Sequence, residues 1–198
     1  MTRSTLLAAV LAATGGAAAW ASDPLMPQSD FRMVATMQED GSQLVLDTEM
    51  RHSKGRFRME TEFQGQSATV LIDSAADTVT ILMDMGGMRM AMEVPPQDAD
   101  FDVPVADDHL GDPVGTDTVA GEPCTIYRIE DADMPGGEAE GCLTDDYIVL
   151  RVVSPEHGTV FEAREFERAH QEDRWFTVPD GYRRMDMGGL GGLSGMFQ

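Results

Sequence analysis

The feature that most restricts the fold is a period-two alternation of apolar and polar side chains through residues 31–94. Phe31, Met33, Ala35 and Met37 fall on one side, and Arg32 and Thr36 on the other. Leu44, Leu46, Thr48 and Met50 alternate with Val45, Asp47, Glu49 and Arg51. Phe57, Met59, Thr61 and Phe63 alternate with Arg56, Arg58, Glu60 and Glu62. Successive side chains of a strand point to opposite faces, so each run reads as a strand with one apolar and one charged face. The connections Glu39-Asp40-Gly41-Ser42, His52-Ser53-Lys54-Gly55 and Gln64-Gly65-Gln66 are short and carry glycine. Connections of that kind suit hairpins, so the pattern predicts an antiparallel meander and not a βαβ arrangement.

The hairpin at 78–94 is the best defined. Thr78–Met85 and Met88–Val94 flank Gly86-Gly87. Two glycines tolerate the positive φ that a two-residue type I′ turn demands. Such a turn sets Met85 opposite Met88, Met83 opposite Met90, Ile81 opposite Met92 and Val79 opposite Val94. Opposed residues share a face, so five methionines gather on one apolar patch. Residues 95–115 hold four prolines and several aspartates and read as a loop or lid, with a short helical turn near Ala106–Leu110. A second β half follows at Thr118–Ile129, Tyr147–Val153, Thr159–Phe166 and Trp175–Val178. Short helices are expected near Pro24–Asp30 and Glu162–His170, and the glycine-rich end reads as a disordered tail, residues 187–198. The fold class expected is mainly β with a minor α part: a curved antiparallel sheet, or open half-barrel, with a lid of loops and short helices.

Arg3, the apolar stretch Leu6–Ala21 and the ending Ala19-Trp20-Ala21 make residues 1–21 a secretory signal peptide, cleaved near Ala21. Gly15-Gly16 interrupts that stretch, which is shorter than the roughly 20 residues a spanning helix needs. Residues 22–186 are expected to fold as a single periplasmic domain that is not an integral membrane protein. The formal net charge is −21. Nucleic acid and anionic lipid surfaces repel such a chain, so no nucleic-acid partner is expected. Cys124 and Cys142 are the two cysteines, and in an exported protein an even pair reads as a disulfide. Closing that loop contributes about 3 kcal/mol through chain entropy.

Catalytic signatures are missing. Gly65-Gln66-Ser67-Ala68-Thr69 lacks the last glycine of a nucleophile elbow. His52, His109, His157 and His170 have no zinc-site spacing and read as surface residues. Asp98-Ala99-Asp100-Phe101-Asp102 begins like a calcium loop, but Val103 and His109 stand where glycine and a bidentate glutamate are required. No cofactor and no enzymatic activity are expected. The methionine cluster has two readings. Thioethers are soft ligands for Cu(I), which would use Met83, Met85, Met88, Met90 and Met92. Methionine is also an adaptable apolar filler of cores and binding faces.

Several ordered motifs carry a family resemblance: Lys54-Gly55-Arg56-Phe57-Arg58-Met59-Glu60, Ala68–Asp73, Thr78–Met83 with the returning Met90-Ala91-Met92-Glu93-Val94-Pro95, Val119–Tyr127 answered by Gly141-Cys142-Leu143-Thr144, and Phe176–Tyr182. In this order they resemble the bacterial family known as domain of unknown function 4412, which is similar in turn to the LolA/LppX-like carriers. The resemblance implies an open half-barrel that holds lipid or acyl chains. Methionines stand where that family's returning strand usually has an aromatic.

The expected function is therefore a non-enzymatic binding or carrier protein for an apolar small molecule or lipidated protein. Groove contacts are expected from Met33, Met50, Phe57, Met59, Phe63, Ile81, Met83, Met90 and Met92. The alternatives are a periplasmic Cu(I)/Ag(I) binder and a structural domain that docks on an envelope protein through its acidic surface.

Overall fold

The computed structural model describes residues 26–38, 44–63, 65–95, 110–130 and 138–186. The signal segment, the Asp98–Asp102 stretch with His109, residues 106–109 of the expected helical turn, and the tail 187–198 lie outside them, as do the side chains of Phe63 and Met85.

The fold is one open, curved sheet of twelve strands. The first six are β1 (Phe31–Gln38), β2 (Val45–Ser53), β3 (Arg56–Phe63), β4 (Gln66–Asp73), β5 (Thr78–Met85) and β6 (Met88–Val94). They form the predicted meander, each strand antiparallel to the next. The remaining strands are β7 (Leu110–Val119), β8 (Glu122–Glu130), β9 (Glu138–Leu143), β10 (Val149–Ser154), β11 (Gly158–Arg168) and β12 (Arg183–Asp186). Strands β7–β11 form a second antiparallel meander, and β11 pairs with β1 to join the halves. The order is β12-β6-β5-β4-β3-β2-β1-β11-β10-β9-β8-β7.

The expected hairpin register at 78–94 is the one found. Gly86 and Gly87 have φ of +61° and +93°, the left-handed values that the turn requires. Asp84 braces it, accepting from the Gly87 backbone N–H at 3.3 Å and pairing with Arg89 Nε at 3.1 Å.

Several expectations are corrected. Residues 110–115, expected as loop, begin strand β7. The expected strand Thr118–Ile129 is broken at Ala120-Gly121, where Ala120 takes φ +51°. Strand β9 (Glu138–Leu143) lies between the expected strands Thr118–Ile129 and Tyr147–Val153, where no strand was expected. Glu162–His170, expected as a helix, is mostly β11. Its partners are β1 and β10, and backbone pairing on both sides overrides its local helical character. Residues 26–30 are non-helical, with a bend at Ser29. Trp175–Val178 is not a strand, because a single 3-10 turn covers Asp173–Phe176. The sheet is not wholly antiparallel, since β12 runs parallel to β6. Among the described residues there is no α-helix, so no helical lid, and no helix long and apolar enough to cross a membrane.

Two ion pairs require the curvature. Arg168 at the end of β11 meets Glu122 at the start of β8, and Arg151 of β10 meets Asp117 of β7. Each pair bridges three inter-strand steps, which in a flat sheet would separate the backbones by about 14 Å. Buried apolar residues from both halves, from Phe31, Met33 and Met50 to Val119, Leu143, Leu150 and Phe161, accordingly share one core, and Leu71, Leu82 and Ala91 form a second, smaller cluster.

Candidate functional site

Register places the methionines of separate strands in line. One row crosses the sheet as Phe166, Met33, Met50, Met59, Val70, Ile81, Met92 and Met185. The adjoining row runs Ala35, Thr48, Thr61, Ala68, Met83, Met90 and Arg183. Directly opposed side chains on one face stand with Cβ atoms about 4.5–5.5 Å apart, so each row is a continuous contact surface.

The predicted groove residues divide into two environments along these rows. Met33, Met50, Phe57 and Met59 are 1–5% exposed and belong to the packed core. Ile81, Met83, Met90 and Met92 are half-buried at the β5–β6 end of the same face. Met88 beside the turn is 57% exposed. The backbones of Phe63 and Met85 pair with Gln66 and Met88. Met185 of β12, 44% exposed, lies beside Met92 and extends the patch. Sequence reasoning missed that neighbour, because a four-residue strand carries almost no periodic signal. Among the described residues no three His, Cys, Asp or Glu side chains converge as a metal site. The side chains able to hold a metal here are the thioethers of Met83, Met90, Met92 and Met185, which suit soft monovalent ions.

His52 is not a surface residue as expected. It is 1% exposed and packed between Phe31, stacked on it at 5.5 Å between ring centroids, and Phe57, tilted against it at 4.6 Å. Its Nδ1 lies 2.9 Å from the Ser29 carbonyl, and its Nε2 accepts the Gly55 backbone N–H at 3.1 Å. These two bonds specify the neutral ring with the proton on Nδ1. Burial pushes its pKa below the usual histidine value, against the opposing pull of the Ser29 carbonyl and the Asp30 charge.

The opposite face of the first half is covered by the segment that follows β11. Trp175 lies 4.2 Å from the Arg51 guanidinium and 5.8 Å from that of Arg58, and Phe176 lies 4.7 Å from that of Arg56. Asp173 pairs with Arg56 at 2.6 Å. Val178 and Tyr182 then pack on Leu71, Leu82 and Ala91. A small cavity of ≈ 180 Å³ remains beside this strap, touching Thr80, Ala91 and Met185.

A larger cavity of ≈ 470 Å³ lies in the second half, lined by Thr116, Asp117, Glu122, Cys124, Asp145 and Arg168 among others. Its size is within the range of about 300–1,000 Å³ typical of ligand pockets, but its lining is polar and acidic, unsuited to an acyl chain. The expected disulfide is present: Cys124 and Cys142 are bonded, with Cα atoms 5.4 Å apart. Asp117 and Arg151, the cross-strand partners of these cysteines, form the ion pair that flanks it. Arg168 holds Asp146 at 2.9 Å. Burial alone would raise the Asp146 pKa, yet the Arg168 guanidinium and the Thr144 hydroxyl hold it well below the usual carboxylate range.

No protein-family profile matches the chain, and no curated protein matches it. Solved structures of similar fold do exist. An uncharacterized conserved protein from Thermus thermophilus superposes with a TM-score of 0.56 at 12% identity, over 80% of this chain and 90% of that one. MucB superposes at 0.52 and 17% identity, over 78% of this chain and 58% of its own length. PNGF-II superposes at 0.50 and 11% identity, over 82% of this chain and 32% of its own. The chain thus spans under two thirds of MucB and of PNGF-II. MucB has also been solved in complex with MucA, from Pseudomonas aeruginosa.

Proposed function

We propose that this chain is an exported, non-enzymatic binding protein of the cell envelope that takes an apolar partner, an acyl chain or lipidated protein, on the methionine end of its sheet. One observation carries the reading. On the face shared by β1–β6, the rows that are packed at Met33, Met50 and Met59 become half-exposed at Ile81, Met83, Met90 and Met92 and reach solvent at Met185. An accessible apolar strip continuous with a rigid core is a ready binding face. Flexible thioether side chains adapt it to chains of variable shape.

Three further points support this reading. The signal-like start and the Cys124–Cys142 bond accord with an oxidising compartment outside the cytoplasm. The motif order resembles domain of unknown function 4412 and, through it, the LolA/LppX-like carriers. MucB, a fold neighbour, is a protein solved with a bound protein partner. The reading groups this chain with such binders.

The test uses a fluorescent sixteen-carbon fatty acid as probe. The protein should bind it, and the triple substitution Met83→Ser, Met90→Ser and Met92→Ser should weaken binding by roughly tenfold or more, since each removed apolar contact is worth about 1–2 kcal/mol. Detergent-free protein that carries no lipid in native mass spectrometry and ignores the probe would sink the proposal.

A further inference from the structure

We propose that Met83, Met90 and Met92, with Met185 beside them, form a binding site for a soft monovalent ion, Cu(I) or Ag(I). Met83 and Met90 oppose each other across β5 and β6, and Met92 lies two residues along β6 on the same face. Two residues along a strand cover about 7 Å, and opposed Cβ atoms stand about 5 Å apart. Each sulfur sits two bonds beyond its Cβ on freely rotating torsions, so three thioethers starting from this triangle can converge on one ion. Met185, paired with Met92 from β12, supplies a fourth from the open edge.

Burial separates these methionines from Met33, Met50 and Met59. A methionine used as core filler is expected inside, and Met33, Met50 and Met59 are there. Met83, Met90 and Met92 are only half-buried and Met185 is exposed, so an ion can reach them. The donor set also selects the metal. With no three His, Cys, Asp or Glu side chains converging among the described residues, the ligands are uncharged and soft, which favours Cu(I) and Ag(I) over zinc or Cu(II). A cation held by neutral thioethers keeps its charge, and the chain's net charge of −21 favours its approach. Arg183, opposite Met90, is the local opposing charge. It is exposed, so water and salt screen it over about 8–10 Å.

The inference does not depend on the apolar partner, because Ag(I) retention is read without it. Ag(I) is the probe, being stable in air; both cysteines are bonded to each other, so no thiol competes. Native mass spectrometry should show a retained Ag(I), and the methyl carbon resonances of Met83, Met90 and Met92 should shift on titration. The substitutions Met83→Leu, Met90→Leu and Met92→Leu keep volume and apolarity and leave the fold intact. They should abolish Ag(I) retention, and Met37→Leu on β1, outside the strip, should retain the ion. Absence of Ag(I) binding, or equal retention by the triple leucine variant, overturns the proposal whatever the fatty-acid result.

Discussion

At the scale of single residues, His52 couples the core to pH. Both ring nitrogens are satisfied only in the neutral form, because Nε2 must accept from Gly55. Protonation would turn two donors against each other between Phe31 and Phe57. Its folded pKa lies below the ordinary 6.5, so between the two values the unfolded chain binds a proton that the folded chain refuses. The stability it contributes is therefore fully present above pH 6.5 and declines as pH falls through the folded value. Glu49 and Asp146 act in a lower window: their arginine partners outweigh burial and depress them, so their contribution is present above the ordinary carboxylate values near 4 and is lost below. Urea unfolding should give a midpoint that is flat from pH 8 to 7 and falls on the way to pH 5. In His52→Gln the midpoint should be lower at pH 8 yet flat down to about pH 5. A wild-type midpoint unchanged between pH 7 and 5 would exclude this role.

At the scale of elements, the strap 169–182 governs the charged face as the hairpins govern the apolar one. Trp175 interacts with Arg51, Arg58 and Arg174, and contacts of that kind are each worth about 0.5–2 kcal/mol. Trp175→Ala should lower unfolding stability by about 1–3 kcal/mol and open the chain to trypsin near Arg174; resistance equal to wild type would show that Val178 and Tyr182 hold the strap unaided. The two elements differ in how far the sequence reveals them. The β5–β6 hairpin, its register and its methionine patch follow from alternation and Gly86-Gly87, because a two-residue turn leaves one pairing. The strap's fixing contacts come from arginines more than a hundred residues away, and the local run Trp175–Val178 looks like a strand. Gly111, Pro113 and Gly115 hide β7, which tolerates them as an irregular edge strand. Met185 is illegible as a site residue for the same reason: its place beside Met92 depends on where the strap delivers β12.

At the scale of the whole molecule, the question is what holds the second half in its curl. The disulfide joins β8 to β9, which are already neighbours, so it restricts the unfolded chain more than it shapes the folded one. Arg168 is different: it ties the end of β11 to the start of β8 through Glu122 and to the β9–β10 turn through Asp146. That turn in turn receives the N-terminal approach, where Gln28 N–H donates to the Asp146 carbonyl at 3.0 Å. The side chains of Arg168, Asp146 and Glu122 are 37%, 19% and 31% exposed, between the surface case, worth up to about 1 kcal/mol, and the buried case, worth about 3–5. Arg168→Ala should therefore cost about 1–3 kcal/mol, an effect weakened only slightly by salt. Trp175, in the opposite half, reports whether the cost is shared. A sheet joined through β1 and β11 into one core should unfold as a unit, so Trp175 fluorescence and far-UV circular dichroism should shift together in the variant. If fluorescence keeps the wild-type midpoint while the dichroism splits into two transitions, the halves unfold separately and the curl is a local property of β7–β11.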